Sequence, residues 1–139
     1  MKKLFRLLCG AVLCLATVVL VSCGGNNTDE GQTQMNNSYE QISPEQAKSV
    51  MDSRTDYVII DARTQEEYDA GHIDGAMLMP EYEVAQRAES ELPDKNQLIL
   101  VYCRSGRRSK IAAQALADLG YTNVKEFGGI IDWEYETVK

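Results

Sequence analysis

From Tyr39 to the carboxyl end, short apolar runs alternate with stretches that are apolar on one side only. YVIIDA (57–62) and QLILVYC (97–103) are apolar over strand length, a pattern that suits strands buried on both faces, as in a parallel sheet. AMLMP (76–80) is a shorter run ended by Pro80, and NVKEF (123–127) a weaker one. Helix signals lie between them. SPEQAKSVMDS opens with Ser43 as N-cap, Pro44 at the first helical position and Gln46 closing a capping box. TQEEYDAG repeats the device with Thr64 and Glu67 and stops at Gly71. EYEVAQRAES (81–90) predicts a surface helix. SKIAAQALADLG puts Ile111, Ala112, Ala115, Leu116 and Leu119 on one face before Gly120, and IIDWEYETV predicts a final helix with Trp133 inward. Strands alternating with helices of about ten residues imply an open α/β sheet with helices on both sides. In such sheets the functional loops lie past the carboxyl ends of the strands.

One apolar run stands apart from this alternation. LLCGAVLCLATVVLV (7–21) follows the basic start MKKLFR and leads into LVSC, the layout of a secretory signal. Leu20 at −3, Ser22 at −1 and Cys23 at +1 resemble the bacterial lipobox, in which the cysteine is acylated and becomes the mature N-terminus. The expected organisation is therefore a signal peptide at 1–22, the lipidated Cys23 with a flexible linker at 23–38, and one folded domain at 39–139. An uncleaved membrane anchor is the alternative, for which the run is barely long enough. The linker GGNNTDEGQTQMNNS is polar and almost free of aliphatics, too poor in apolar surface to order itself. As a tether of about 15 residues it spans roughly 20 Å and holds a domain off a bilayer. The expected location is the periplasmic or cell-envelope side of a membrane, reached by export.

Charge narrows the partners. The signal takes three of the 14 basic residues and none of the 21 acidic ones, leaving 11 against 21, a net of −10. Such a balance argues against nucleic acid and against adhesion to anionic headgroups, so attachment to a membrane would come from the lipid alone. Of the four cysteines, Cys9 and Cys14 leave with the signal and Cys23 is blocked by lipid. Cys103 is then the one thiol of the mature chain, and no intramolecular disulfide is available to it.

That thiol sits in CRSGRRSK (103–110), a local inversion of sign in an acidic protein. A strand ends at Cys103, a short loop follows, and a helix starts near Arg108 to Lys110. Backbone N–H groups of a tight loop entering a helix converge on an anion and favour thiolate over thiol. Gly106 lets the backbone bend, and Ser105 and Ser109 add hydroxyl donors. Arg104, Arg107 and Arg108 attract an anionic substrate, with Arg108 divided between bracing the loop and facing the anion. A thiolate in such a cradle attacks either phosphorus or sulfur. The loop has the form C-x4-R and misses the C-x5-R of tyrosine-type phosphatases by one residue, since Ser109 follows Arg108. A ring one residue smaller suits a sulfur atom better than a tetrahedral phosphate.

These residues resemble the rhodanese family. CRSGRRS has its C-R-x-G-x-R form; DARTQEEYDAGHIDGAMLMP (61–80) is similar to its first signature, with Asp61, Arg63, Gly71-His72-Ile73 and Gly75-Ala76. NVKEFGGIIDW is similar to its closing strand, with Gly128, Gly129 and Trp133. The resemblance covers about residues 40–138. It implies a rhodanese-like α/β domain, a five-stranded, mainly parallel sheet flanked by helices on both sides. It implies sulfurtransfer by double displacement, with Cys103 carrying a sulfane sulfur and Arg104–Arg108 forming the substrate loop. Arg104 looks like the thiosulfate-using branch. No metal or organic cofactor is implied. The partners are a small anionic sulfur donor and a thiol or cyanide acceptor, with a thioredoxin-like protein as one candidate. Asp61 and Arg63 are expected as a structural ion pair under the active loop, His72 as a loop-fixing residue and Tyr102 as packing. Two other functions remain open: a protein-binding rhodanese module with an idle cysteine, and a cysteine-dependent phosphatase or arsenate reductase.

Overall fold

The computed structural model describes residues 37–139. The signal-like run, Cys23 and the linker up to residue 36 lie outside the described residues. In chain order the elements are β1 (Glu40–Gln41), α1 (Pro44–Ser53), β2 (Tyr57–Asp61), α2 (Gln65–Ala70), β3 (Ala76–Leu78), α3 (Val84–Glu91), β4 (Leu98–Cys103), α4 (Arg107–Asp118) and β5 (Val124–Gly129). A single 3-10 turn, Ile130–Asp132, follows. The strands form one sheet in the order β1-β5-β4-β2-β3, and every pairing is parallel.

Period-two alternation decides what each face carries. β4 is central and buried along its whole length. Ile99, Val101 and Cys103 point into a core shared with Val84 and Ala88 of α3 and Ala112, Ala113 and Leu116 of α4. Leu98, Leu100 and Tyr102 point the other way, into a core with Ala47 of α1, Ile73, Phe127 and Trp133. Each Ile or Leu so buried contributes about 1.5–3 kcal/mol. Both expected capping boxes are present: Ser43 and Thr64 accept from the N–H groups of Gln46 and Glu67, whose side chains return to the cap N–H.

Two elements differ from expectation. On α4 the inward set is Ser109, Ala112, Ala113, Leu116 and Ala117, while Ile111 is exposed. Three alanines let the helix axis approach the sheet closely, which turns the larger Ile111 outward. IIDWEYETV is not a helix beyond its 3-10 turn. Trp133 packs on Phe127 and Tyr135 with ring centroids 5.7 and 4.8 Å away. Val138 then exchanges backbone hydrogen bonds with His72 at 2.8 and 2.9 Å. Those bonds satisfy an extended tail rather than a helix.

Candidate active site

The parallel sheet brings the carboxyl ends of β2, β4 and β5 together, and Cys103 closes the central strand there. Arg104 and Ser105 are exposed, Gly106 is buried, and α4 begins at the next residue. Gly106 has φ +93°, the left-handed region that a side chain disfavours. This reversal aims its N–H at the Cys103 sulfur, 3.1 Å away. Gly129 of β5 is required for a different reason. A Cβ there would lie 2.2 Å from the Arg104 carbonyl oxygen and 2.6 Å from Ser105 Cα, so the loop is seated directly on β5.

Burial alone would push the Cys103 thiol up. The Ser109 hydroxyl and the N–H groups of Ser109, Ser105 and Gly106 outweigh it and hold the thiol below its usual range. Cys103 is 1% exposed, with the exposed loop residues Arg104 and Ser105 immediately after it. Gly106 provides no side-chain cap to α4, leaving the first N–H groups of that helix available to the same site.

The three arginines separate by geometry. Arg108 makes a two-pronged pair with Glu67 of α2, at 2.6 and 2.7 Å, and braces the loop. That pair holds the Glu67 carboxyl at about 2, against an ordinary 4.5. Arg108 also lies near enough to Cys103 for the two charges to interact. Arg104 and Arg107 are exposed and take part in no ion pair among the described residues.

Asp61 and Arg63 form a buried pair, with Arg63 Nη2 2.6 Å from Asp61 Oδ2. The two residues make the structural ion pair expected of them. Arg63 also donates to the Gly71 carbonyl at 2.7 Å, and Tyr102 donates to Asp61 Oδ2 at 2.5 Å while accepting from Ile73 N–H at 3.1 Å. The network therefore ties down the connection between α2 and β3, on the sheet face opposite the Cys103 side chain. Tyr102 is more than packing, and burial pushes its hydroxyl well above the ordinary value. His72 stacks on Tyr68 at 3.7 Å and its Nδ1 lies 3.0 Å from the Tyr68 carbonyl, so it fixes the loop after α2.

Sequence reasoning missed Glu126. It is 3% exposed, and its Oε1 lies 2.6 Å from Ser109 Oγ and 2.8 Å from Gly128 N. The signal was a charged residue in the middle of NVKEF, which reads merely as a weak strand.

Fold and loop together define a class: an α/β domain that presents one cysteine in a ring of N–H donors at the end of its central strand. The chain belongs to the rhodanese family, because the Rhodanese-like domain model matches residues 43–136. Thiosulfate sulfurtransferase PspE of Escherichia coli (strain K12) is 41% identical over 80 residues, covering 58% of this chain and 77% of that protein. The putative sulfur carrier protein YrkF of Bacillus subtilis (strain 168) is 36% identical over 115 residues, 82% of this chain and 59% of that longer protein. Among solved structures, a rhodanese with anions from E. coli superposes with a TM-score of 0.57 at 40% identity, covering 60% of this chain and 98% of that chain. These likenesses support sulfur transfer as the general activity.

Proposed function

We propose that the domain is a thiosulfate-type sulfurtransferase that carries a sulfane sulfur on Cys103. The observation that carries this reading is the Gly106 N–H aimed at a lowered Cys103 thiol, with Arg104 and Arg107 exposed beside it and in no ion pair among the described residues. The two arginines hold the sulfonate-like oxygens of the donor dianion. The thiolate attacks the sulfane sulfur, a bond forms between it and Sγ, and the S–S bond of thiosulfate breaks with its electron pair leaving on sulfite. The terminal persulfide sulfur now carries the negative charge. A nucleophilic acceptor, cyanide or a thiol, then attacks that sulfur and the electron pair returns to Sγ as thiolate. Arg108, committed to Glu67, keeps the loop in shape during both steps.

The test is the mass of the Cys103 peptide from the full chain after thiosulfate treatment. It should rise by one sulfur atom, and cyanide should then release thiocyanate. Cys103→Ser should abolish both. An unchanged mass together with hydrolysis of p-nitrophenyl phosphate would mean phosphoryl chemistry instead. An unchanged mass with neither activity would mean a binding module with an idle cysteine.

We further propose that the domain is exported and tethered by a lipid on Cys23. What supports this is the sequence pattern of residues 1–23. Cys23→Ala should leave the chain unprocessed or released from membranes, whereas carbonate-resistant attachment of that variant would assign anchoring to the apolar run.

A further inference from the structure

On the sheet face opposite the Cys103 side chain, a groove of about 630 Å³ lies between α1, the start of β2, the turn before β3 and the chain after the 3-10 turn. Its volume is that of a ligand site. The floor is apolar: Ile59, Ile73 and Trp133 are buried there, with Met51 and Tyr57 half-buried beside them. Tyr135 stands edge-on to Trp133, ring centroids 4.8 Å apart, and is 38% exposed. The tail segment that carries it is fixed at both ends. Trp133 is anchored in the core, and Val138 exchanges backbone hydrogen bonds with His72. The groove is therefore preformed, and a ligand need not order it on binding.

An apolar floor is combined here with anionic surroundings. Asp74, Glu134 and Glu136 line the groove, are exposed, and take part in no ion pair among the described residues. Lys48 is the one cation among the described lining residues, and its charge is already engaged. It pairs with Asp52 one turn along α1, and its Nζ lies 5.5 Å from the centroid of the Tyr135 ring. Lys48 thus shows what this surface accepts: an ammonium between a carboxylate and an aromatic face. Three carboxylates remain for cations from outside.

We propose that this groove docks a partner protein through a segment in which lysine or arginine flanks apolar side chains. The apolar side chains cover the floor, and the long cationic ones bend to Asp74, Glu134 and Glu136. Other occupants fit less well. The chain carries a net charge of −7, so a second copy and an anionic lipid surface are both repelled. A small amine brings the charge but too little apolar surface to cover the floor. Docking leaves Cys103 free, because its side chain lies on the other face of the sheet.

Trp133 is the single tryptophan of the chain, so its fluorescence reports this groove. The probe is a synthetic peptide of alternating lysine and leucine, added to the full chain. It should shift Trp133 emission saturably, and its Kd should weaken about threefold to tenfold between about 50 and about 300 mM salt. Peptides with glutamate in place of lysine, or glycine in place of leucine, should bind about tenfold more weakly or worse. The double variant Asp74→Asn, Glu134→Gln should weaken the lysine–leucine peptide about tenfold, and Tyr135→Leu about threefold. Both carboxylates are exposed, so the double variant keeps the fold and stands in should Tyr135→Leu unfold. Unchanged affinity in the double variant overturns the proposal. So does a rise in anisotropy of the labelled peptide with Trp133 silent, which means diffuse binding to the acidic surface. Butylammonium binding as tightly as the peptide would assign the groove to small amines instead. A dimer in sedimentation that Tyr135→Leu dissolves would assign it to a second copy. No sulfur donor enters these measurements, so they stand whether or not the domain transfers sulfur.

Discussion

Two buried polar clusters occupy the same end of the sheet, on adjacent strands, and differ in how their hydrogen bonds close. In one, Asp61 of β2 accepts from Arg63 and Tyr102, Arg63 donates on to the Gly71 carbonyl, and Tyr102 accepts from Ile73 N–H. Its donors find acceptors inside the protein, and the cluster is sealed. In the other, N–H and O–H donors converge on the single sulfur of Cys103, and Arg104 and Arg107 beside it are exposed, with no ion-pair partner among the described residues. Tyr102 and Cys103 are consecutive residues pointing to opposite faces of one strand. Burial and polarity are alike in the two clusters. What separates structure from chemistry here is an excess of donors over acceptors, with exposed cations beside it.

The comparison breaks most visibly at the sealed cluster. Asp61→Asn leaves Arg63 charged, buried and without its counter-ion, and should lower stability by about 3–5 kcal/mol in denaturant unfolding. The folded fraction should still alkylate at Cys103 at the wild-type rate; a changed rate would show that the two clusters are coupled through β4. Gly129→Ala strikes the open cluster instead. Its Cβ would fall 2.2 Å from the Arg104 carbonyl oxygen, so the loop must shift. Thiosulfate turnover should drop by about a hundredfold, with a stability loss of about 1–3 kcal/mol. Full activity in this variant would mean that the seat of the loop on β5 is unimportant.

Next come the unpaired cations. Arg104→Ala or Arg107→Ala should raise KM for thiosulfate about tenfold to a hundredfold, the loss of a charge-assisted hydrogen bond of roughly 1.5–3 kcal/mol. Added salt should mimic part of that loss, since exposed charges are screened beyond about 8–10 Å. Wild-type KM in both variants, with no salt dependence, would leave the arginines as loop braces and favour a protein persulfide as donor. The smallest effect belongs to the Glu67–Arg108 brace. The Glu67 carboxyl is depressed in the folded state from 4.5 to about 2. The stability it contributes is therefore fully present above pH 4.5 and lost as pH falls through about 2. The difference in unfolding free energy between wild type and Glu67→Gln should shrink over that window; a constant difference would show that the brace acts by packing.

Local patterns in the chain specified most of the framework. Runs such as VII and LILVY are apolar at every position, which only a strand covered on both faces tolerates, and both capping boxes follow from side chains three residues apart. The cysteine loop was legible for the same reason: its arginines, its glycine and its C-x4-R spacing are contiguous. The five-stranded sheet followed from the rhodanese resemblance, yet β1 itself, two exposed polar residues, has no signal of its own and exists because it pairs with β5. Tertiary structure decided the rest. Ile111 faces outward because small alanines set how closely α4 approaches the sheet, a property of the pair of elements. The tail after Ile130 stays extended because His72, far away in sequence, supplies its hydrogen bonds. Which arginine braces and which stay free depends on Glu67 arriving from α2, 41 residues earlier. Glu126 meets Ser109 across 17 residues of chain, and no local pattern predicts it, because a buried carboxylate is stable only when another element brings donors to it.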